Sequence, residues 1–198
     1  MITRDFEEND CKEVVNIHLR SFQGFFLTFM GASFLTLLYR ATIADPSGIA
    51  IIAEKENKTT GFVTGTSQPS GFYKRLLKKH ILGFGVASLQ SFFRKPSILP
   101  RLLRAFSMPG QPLPSKNCAT LMSIAVDPDC QNLGIGKLLV NAFIEEARSR
   151  GSQFVNLTTD AVNNEAANHF YKSLGFELFR NYTTPEGRIM NEYLIKTG

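Results

Sequence analysis

The 198-residue chain has no tryptophan, only three cysteines, and no apolar run long enough to span a bilayer. Cys11, Cys118 and Cys130 are odd in number and far apart, which indicates reduced thiols rather than a disulfide framework. They form no CxxC pair or zinc-like spacing, so no metal is expected. The longest apolar stretches, residues 25–39 and 80–93, are shorter than the roughly 20 residues of a membrane helix. With an acidic amino terminus, the sequence predicts a cytoplasmic protein.

Acidic side chains are missing from residues 72–104, although the net charge of the whole chain is only +5. That segment contains nine basic positions, counting the histidine: Lys74, Arg75, Lys78, Lys79, His80, Arg94, Lys95, Arg101 and Arg104. The pattern predicts a local basic face, of which a solvated helix pair is the simplest form. A lid over an acceptor site, attraction of a phosphorylated acceptor, and contact with an anionic membrane surface remain open. No nucleic-acid recognition motif accompanies the charge, so no nucleic acid is expected.

Hydrophobic periodicity predicts strands and helices in mixed order along the chain. Strands are expected at 1–6, twice within 49–67 as a hairpin, and at 118–126, 153–160, 176–182 and 188–196. Helices are expected at 7–22 with Asn9 or Asp10 as N-cap, at 31–43, from residue 72 up to breaks at Pro96 and Pro100, at 134–150 and at 163–175. Residues 107–116, with three prolines, read as a loop.

This order predicts a mixed sheet. A helix between two strands implies a parallel crossover, whereas the hairpins imply antiparallel neighbours. The length suits one domain over 1–198, with a basic helical insertion at about 71–106.

The segment DPDCQNLGIGKLL places Gly134 and Gly136 between a predicted strand and a predicted helix. The first N–H groups of a helix lack internal partners and, with the helix dipole, suit phosphate oxygens. Glycine also lets a ligand approach the backbone closely. The simpler interpretation is a plain strand-to-helix turn, and the glycines alone leave both open. Neither a P-loop nor a three-glycine dinucleotide motif is present.

A second motif, NNEAANHFYKSLGF, places Asn164, Ala167, Asn168 and Tyr171 along one helical face. Together the two motifs resemble those of the GNAT superfamily of N-acetyltransferases. The family pattern Q/R-x-x-G-x-G/A appears as residues 131–136. The pattern N-x-x-A-x-x-F-Y-x-x-x-G-F appears at 164–176. The match is strong over about the last eighty residues of the chain.

The resemblance implies an α/β (α+β) fold with a mostly antiparallel central sheet, flanked by helices, in which one parallel strand pair splays at the acetyl-CoA site. It implies that acetyl-CoA is the co-substrate and that Tyr171 donates a proton to the departing thiolate. The cofactor-binding residues it implies are Ile124, Val126, Gln131, Asn132, Leu133, Gly134, Ile135, Gly136, Lys137 and Asn164. Core packing for Tyr171 and helix capping for Asn164 are the structural alternatives.

One departure from the family concerns the general base. Many members carry a glutamate on the strand before the glycine turn, where this chain has Thr120 and Ser123. Asp160 acting through water is a candidate, although a capping or surface role suits it better; Glu54, His18 and His80 are weaker candidates. Cys118 and Cys130 lack a neighbouring His/Asp constellation, which argues against a thioester on the enzyme.

The expected reaction is therefore direct acetyl transfer to a primary amine, with a small-molecule acceptor, such as an amino sugar, favoured. An acyl-CoA-binding regulatory module without efficient catalysis and a protein or peptide N-acetyltransferase are the alternatives. Membrane-surface contact through the basic insertion and a homodimer are left open.

Overall fold

The computed structural model describes residues 1–94 and 117–198, and its centre is a seven-stranded sheet. In chain order the strands are β1 (Ile2–Asp5), β2 (Gly48–Lys55), β3 (Lys58–Thr66), β4 (Cys118–Val126), β5 (Phe154–Asp160), β6 (Glu177–Thr183) and β7 (Ile189–Lys196). The helices are α1 (Cys11–Ser21), α2 (Phe26–Phe29), α3 (Gly31–Ala44), α4 (Phe72–Lys79), α5 (Ile81–Arg94), α6 (Ile135–Ser149) and α7 (Glu165–Ser173).

The spatial order of the strands is β1-β2-β3-β4-β5-β7-β6. All neighbours pair antiparallel except β4 and β5, which are parallel and joined by α6. The β2–β3 hairpin turns at Glu56 and Asn57, both with positive φ, as the tight turns of twisted hairpins require. The mixed, mostly antiparallel sheet expected from the sequence is confirmed.

The parallel pair is short. Only Cys118–Thr120 pair with Phe154–Asn156, although both strands continue beyond these residues. On its other side, β4 has a bulge: Thr64 pairs with Ser123 and Gly65 with Leu121. A bulge bends its strand and strengthens the local twist. The two strands thus diverge toward their carboxyl ends, as the resemblance implied.

Helices cover both faces of the sheet. On one face, α6 buries Leu139, Phe143 and Ala147 as its apolar spacing predicted, and α7 packs into the same cluster. On the other face, α1 and α3 pack over Ile52 and Phe62. No helix among the described residues has both the length and the apolarity to cross a membrane.

The basic segment is partly integrated with the core. Phe72 and Leu76 of α4 and Phe84 of α5 are buried together with Phe34 of α3 in a third cluster. The helix break at His80 was not predicted from the sequence. The predicted breaks at Pro96 and Pro100, the predicted loop 107–116 and the basic positions 95, 101 and 104 lie outside the described residues.

The position of the N-cap of α1 was predicted correctly, but the capping hydrogen bond expected from its side chain is not made. Asp10 occupies the cap position, but its side chain makes no cap hydrogen bond. Its carboxylate instead accepts from the Glu7 amide at 2.8 Å and from both terminal guanidinium nitrogens of Arg4, each at 2.8 Å. The carboxylate thus closes the turn before α1 and binds the arginine of β1.

Candidate functional site

Gly134 is the N-cap of α6 and has φ of +75°. A Cβ at this position would meet nothing within 4 Å, so the left-handed backbone, and not crowding, requires glycine. The first intrahelical bond runs from the Leu138 amide to the Gly134 carbonyl at 3.1 Å. The amides of residues 135–137 therefore precede the hydrogen-bonded helix and face open space.

Gly136 is glycine for a different reason. A Cβ there would lie 3.1 Å from Cζ and 3.4 Å from Cε2 of Phe170, which is tighter than ordinary packing. The second glycine thus lets α6 approach α7 closely. The two glycines therefore have different structural reasons: Gly134 allows the turn, and Gly136 allows the close packing of the two helices.

A cleft of about 900 Å³ opens in front of this turn. Its walls are the end of α1 and the following loop, the end of β4, the glycine turn and one ring of α7. The lining residues are Arg20, Ser21, Phe22, Gln23, Ile124, Ala125, Val126, Pro128, Gln131, Asn132, Gly134, Ile135, Gly136, Lys137 and Phe170. Eight of the ten residues expected to bind the cofactor are among them, and Leu133 and Asn164 are not.

The donors around the cleft suit a diphosphate. They combine unpaired helix amides, the Lys137 ammonium in the first turn of α6 and the amide side chains of Gln131 and Asn132. Arg20 adds a cation, which bonds to Asp127 at 3.0 Å and to Asp129 at 2.9 Å. Arg20 was not predicted from the sequence, because it lies over a hundred residues from the glycine motif.

The carboxyl end of β4 forms the inner wall of the cleft. Beyond Thr120 it has no pairing with β5, so its edge is open for a ligand to bond to the backbone. The Val126 carbonyl, however, accepts a hydrogen bond from the Ser21 hydroxyl at 3.3 Å. A ligand that bonds to the Val126 carbonyl would therefore compete with this long, weak hydrogen bond from Ser21.

Tyr171 lies on α7 and is 8% exposed. Its ring contacts Phe170, Phe176 and Tyr193, with centroids 5.2, 5.8 and 6.2 Å away. Burial raises the pKa of its hydroxyl to about 12, so the group remains protonated at neutral pH. The ring thus has the core contacts of the structural alternative, while the hydroxyl retains the proton that a donor needs.

Asn164 does not cap α7 with its side chain. Its Nδ2 donates to Thr159 Oγ1 at 2.6 Å and to the Asp160 carbonyl at 3.3 Å. Asn168, one turn later, donates to the Asp160 carbonyl at 2.9 Å and accepts from the Tyr193 hydroxyl at 2.9 Å. Asn164 thus occupies the N-cap position without a side-chain cap bond, and the two asparagines tie α7 to the end of β5 and to Tyr193 of β7.

The candidate bases are occupied or buried. Asp160 forms a two-point ion pair with Arg188, at 2.9 and 2.6 Å. Glu54 pairs with Arg4 at 2.9 Å beside β1. His18 is 2% exposed, and burial lowers its pKa to about 4. Because its Nδ1 lies 2.6 Å from the Tyr39 hydroxyl, His18 serves as a packed, hydrogen-bonded core residue.

The three cysteines and His80 are not among the residues that line the cleft. Burial raises the pKa of the Cys118 thiol to about 11, which leaves no thiolate at neutral pH. Cys130 is half-buried, and all three cysteines are free. His80 is half-buried at the junction of α4 and α5. Among the described residues no cluster of three or more His, Cys, Asp or Glu side chains could hold a metal.

A line of polar side chains runs from the central strand β4 across β5 and β7 to the edge strand β6, and sequence reasoning missed it. Thr120 Oγ1 donates to Asn156 Oδ1 at 2.6 Å, and Asn156 Nδ2 donates to Glu192 Oε1 at 2.7 Å. Glu192, 1% exposed, completes the line with Arg180 at 2.6 Å. The signal available in the sequence was an acidic residue inside the mostly apolar β7 segment IMNEYLI.

Comparison with known proteins agrees with this geometry. A model described as "Acetyltransferase (GNAT) family" matches residues 11–176. An uncharacterized N-acetyltransferase of Methanocaldococcus jannaschii is 45% identical over 62 residues, which cover 31% of this chain and 27% of that protein. The ribosomal protein bS18-alanine N-acetyltransferase of Escherichia coli is 45% identical over 74 residues, 35% of this chain and 49% of that protein. The matches thus span less than half of these curated relatives.

Solved structures extend the likeness to the whole chain. The Escherichia coli ribosomal-protein-S18-alanine N-acetyltransferase has a TM-score of 0.62 at 19% identity, covering 100% of this chain and 94% of that one. An aminoglycoside 6'-acetyltransferase type Ii has a TM-score of 0.65 at 16% identity, covering 100% of this chain and 98% of that one. A Salmonella typhimurium acetyltransferase with its cofactor acetyl-CoA has a TM-score of 0.64 at 13% identity, covering 100% of this chain and 94% of that one. At these identities the likeness shows the fold alone.

Proposed function

Because the chain belongs to the acetyltransferase (GNAT) family, we propose that it transfers an acetyl group from acetyl-CoA directly to a primary amine. The observation that carries the proposal is the cleft before α6, where a left-handed glycine, unpaired amides and Lys137 converge. Acetyl-CoA supplies the activated thioester. The backbone and side chains of residues 131–137 hold its diphosphate, and the open edge of β4 at Ile124 and Val126 bonds to its pantetheine arm.

Tyr171 is the proposed proton donor to the departing sulfur. Its buried hydroxyl stays protonated because its pKa is about 12, and it makes no hydrogen bond to any described side chain that would divert the proton. Asn164 is proposed to contact the pantetheine arm from the end of β5. Its amide donors are engaged by Thr159 and Asp160, so its Oδ1 is the atom assigned to the ligand.

The acceptor proposed is a small-molecule amine, for example an amino sugar. The support is the approach of the β6–β7 turn to the loop after α1, where the Arg188 guanidinium lies 6.0 Å from the Phe25 ring centroid. Phe25 and Phe29 remain about half exposed there and offer an apolar wall. A protein amino terminus is the alternative favoured by the bS18-alanine relatives, and a panel of amines distinguishes the two.

We further propose a single domain over 1–198 with a basic insertion at about 71–106. The support is that α4 and α5 share an apolar cluster with α3. A cytoplasmic location is proposed on the three free cysteines.

A thiol-release assay tests the proposed function. Acetyl-CoA is mixed with the full-length protein and with amino sugars, small amines or peptides beginning with alanine, and free thiol is followed. Release dependent on one amine class supports the proposal and identifies the acceptor. Calorimetric binding of acetyl-CoA without release for any amine would favour a binding module.

Tyr171→Phe separates catalysis from packing. We expect kcat to fall roughly 100-fold, within the usual range for loss of a general acid, while the KM for acetyl-CoA changes little. The ring still fills its cluster, so the unfolding midpoint should stay close to that of the wild type. Equal losses of stability and cofactor affinity with an unchanged kcat would show that Tyr171 is structural.

A further inference from the structure

The first two turns of α5 expose three aliphatic side chains, and the lysines of α4 precede them along the chain. Ile81, Leu82 and Val86 are 68, 84 and 69% exposed. On a helix with 100° per residue, their positions fall within an arc of about 140°. The opposite side of the same helix carries Phe84, which is 4% exposed and lies 5.1 Å from the ring of Phe34. The orientation of α5 is therefore fixed by the core, and its aliphatic side faces solvent.

Three lysines precede these side chains on the neighbouring helix, within seven residues of Ile81. Lys74, Lys78 and Lys79 are exposed on α4, and the ion pairs found among the described residues do not involve them. Lys79 acts on Asp45 only at longer range, helping to lower the pKa of that carboxyl. Arg75 is different, because its guanidinium bonds to the carbonyls of Ser70 and Gln68 at 2.7 and 2.9 Å. The lysines are thus left for an external partner.

The charged side chains in the sequence around α4 and α5 are all basic. No aspartate or glutamate occurs from Asn57 to Val126, a run that contains α4 and α5. Scattered exposed aliphatic residues are normal on proteins, but three within one arc of a helix that directly follows three exposed lysines are a combined feature. Cations near aliphatic side chains along the chain match the interface of an anionic bilayer, where phosphates lie above acyl chains.

We propose that Lys74, Lys78, Lys79, Ile81, Leu82 and Val86 form a membrane-docking surface for anionic lipid. The lysines bind headgroup phosphates, and the aliphatic side chains insert among the upper acyl carbons. Nucleic acid would use the lysines and leave the aliphatic side chains in water. An acidic protein groove is the remaining rival. This surface is independent of the acetyl-transfer proposal, because its residues are outside the cleft before α6.

The test is co-sedimentation of the full-length protein with vesicles of phosphatidylcholine alone or mixed with phosphatidylglycerol. We expect binding only to the anionic vesicles, and weaker binding as salt rises. Reversing Lys74, Lys78 and Lys79 to glutamate should weaken it by roughly 100-fold or more, since each cation near such a surface is worth about fivefold in affinity. Lys12, Lys55 and Lys58, exposed elsewhere, reversed to glutamate provide the matched charge control.

Ile81→Ser with Leu82→Ser tests insertion without touching charge. Both side chains are already largely in water, so folding should be unaffected. Ile2→Ser with Leu178→Ser, at 59 and 46% exposure, is the matched aliphatic control. We expect loss of vesicle binding only for the α5 pair. Binding that survives in the α5 pair, or fails equally in the control pair, would overturn insertion.

The absence of tryptophan gives a direct spectroscopic readout. Leu82→Trp introduces a single indole at the most exposed of the three aliphatic positions, and Leu178→Trp places one on β6 as control. Anionic vesicles should shift the emission of the first to shorter wavelength and leave the second unchanged. No binding to either vesicle, equal binding to both, or binding to DNA or an acidic peptide but not to vesicles would refute the proposal.

Discussion

Gly134 and Gly136 are two residues apart but are glycine for unrelated reasons. The first adopts a left-handed backbone beside open space, and the second makes room for the edge of the Phe170 ring. Alanine at either position would destabilise the protein, by about 1–2 kcal/mol for the left-handed backbone and about 1–3 kcal/mol for overpacking. The two substitutions would thus lower the free energy of unfolding by similar amounts for different reasons.

A Phe170→Leu background distinguishes these causes. The smaller side chain removes the ring that an alanine at 136 would meet, so Gly136→Ala should cost less there than in the wild-type chain. Gly134→Ala should cost the same in both backgrounds, because its penalty comes from φ alone. Urea unfolding of the single and double variants measures both couplings. Equal coupling at the two positions would contradict the assignment.

At the scale of elements, β4, β5, β7 and β6 are joined by the line from Thr120 to Arg180 as well as by backbone bonds. Its weak point is the Glu192 carboxylate, which is fully buried and has two charged or amide partners. A buried charge is costly unless it is paired. The pairing therefore determines how the last two strands fit the rest of the sheet.

Arg180→Met should destabilise the fold by about 3 kcal/mol, because it leaves Glu192 buried without its cation. Arg180→Met combined with Glu192→Leu should lose less than Arg180→Met alone, since no uncompensated charge remains. Guanidinium unfolding of both variants gives the comparison. If the double variant is the less stable of the two, the carboxylate does not carry the penalty assigned to it.

The elements most accessible from sequence are those with local signals. The stripe of α6, the glycine at its start and the crossover between β4 and β5 follow from spacing, and the structure confirms them. Side-chain partners were less accessible. Asn164, with side-chain capping of α7 as its structural alternative, bonds to Thr159, while Asp10 binds Arg4 and the Glu7 amide and caps no amide of α1. The partner of each side chain depends on which strand end lies nearby in the fold. The spacing of residues in the sequence does not contain that information.

At the scale of the whole molecule, stability should depend on pH through His18. Its pKa is about 4 in the folded protein, against about 6.5 in an unfolded chain. Above pH 6.5 the imidazole is neutral in both states. Below it, the unfolded chain takes up a proton that the folded chain refuses, so the free energy of unfolding falls by up to about 3 kcal/mol toward pH 4.

His18→Gln removes that titration and should flatten the dependence of the urea midpoint between pH 7 and 4.5. His169→Gln, at an exposed position of α7, is the matched control for the substitution itself. A slope in His18→Gln equal to that of the wild type would show that other groups control the acid response.

The short β4–β5 pairing divides the sheet into two plates. Their backbones pair at three positions, whereas every other neighbouring pair of strands shares at least four; the Thr120–Asn156 bond and the packing of α6 supplement this connection. The plates are also separate along the chain, since β1–β4 all precede residue 127 and β5–β7 all follow residue 153. We expect the largest low-frequency motion of the molecule to be a rotation of one plate against the other about this hinge. The width of the gap between β4 and β5 would then be governed by the stiffness of the whole sheet and not by a loop.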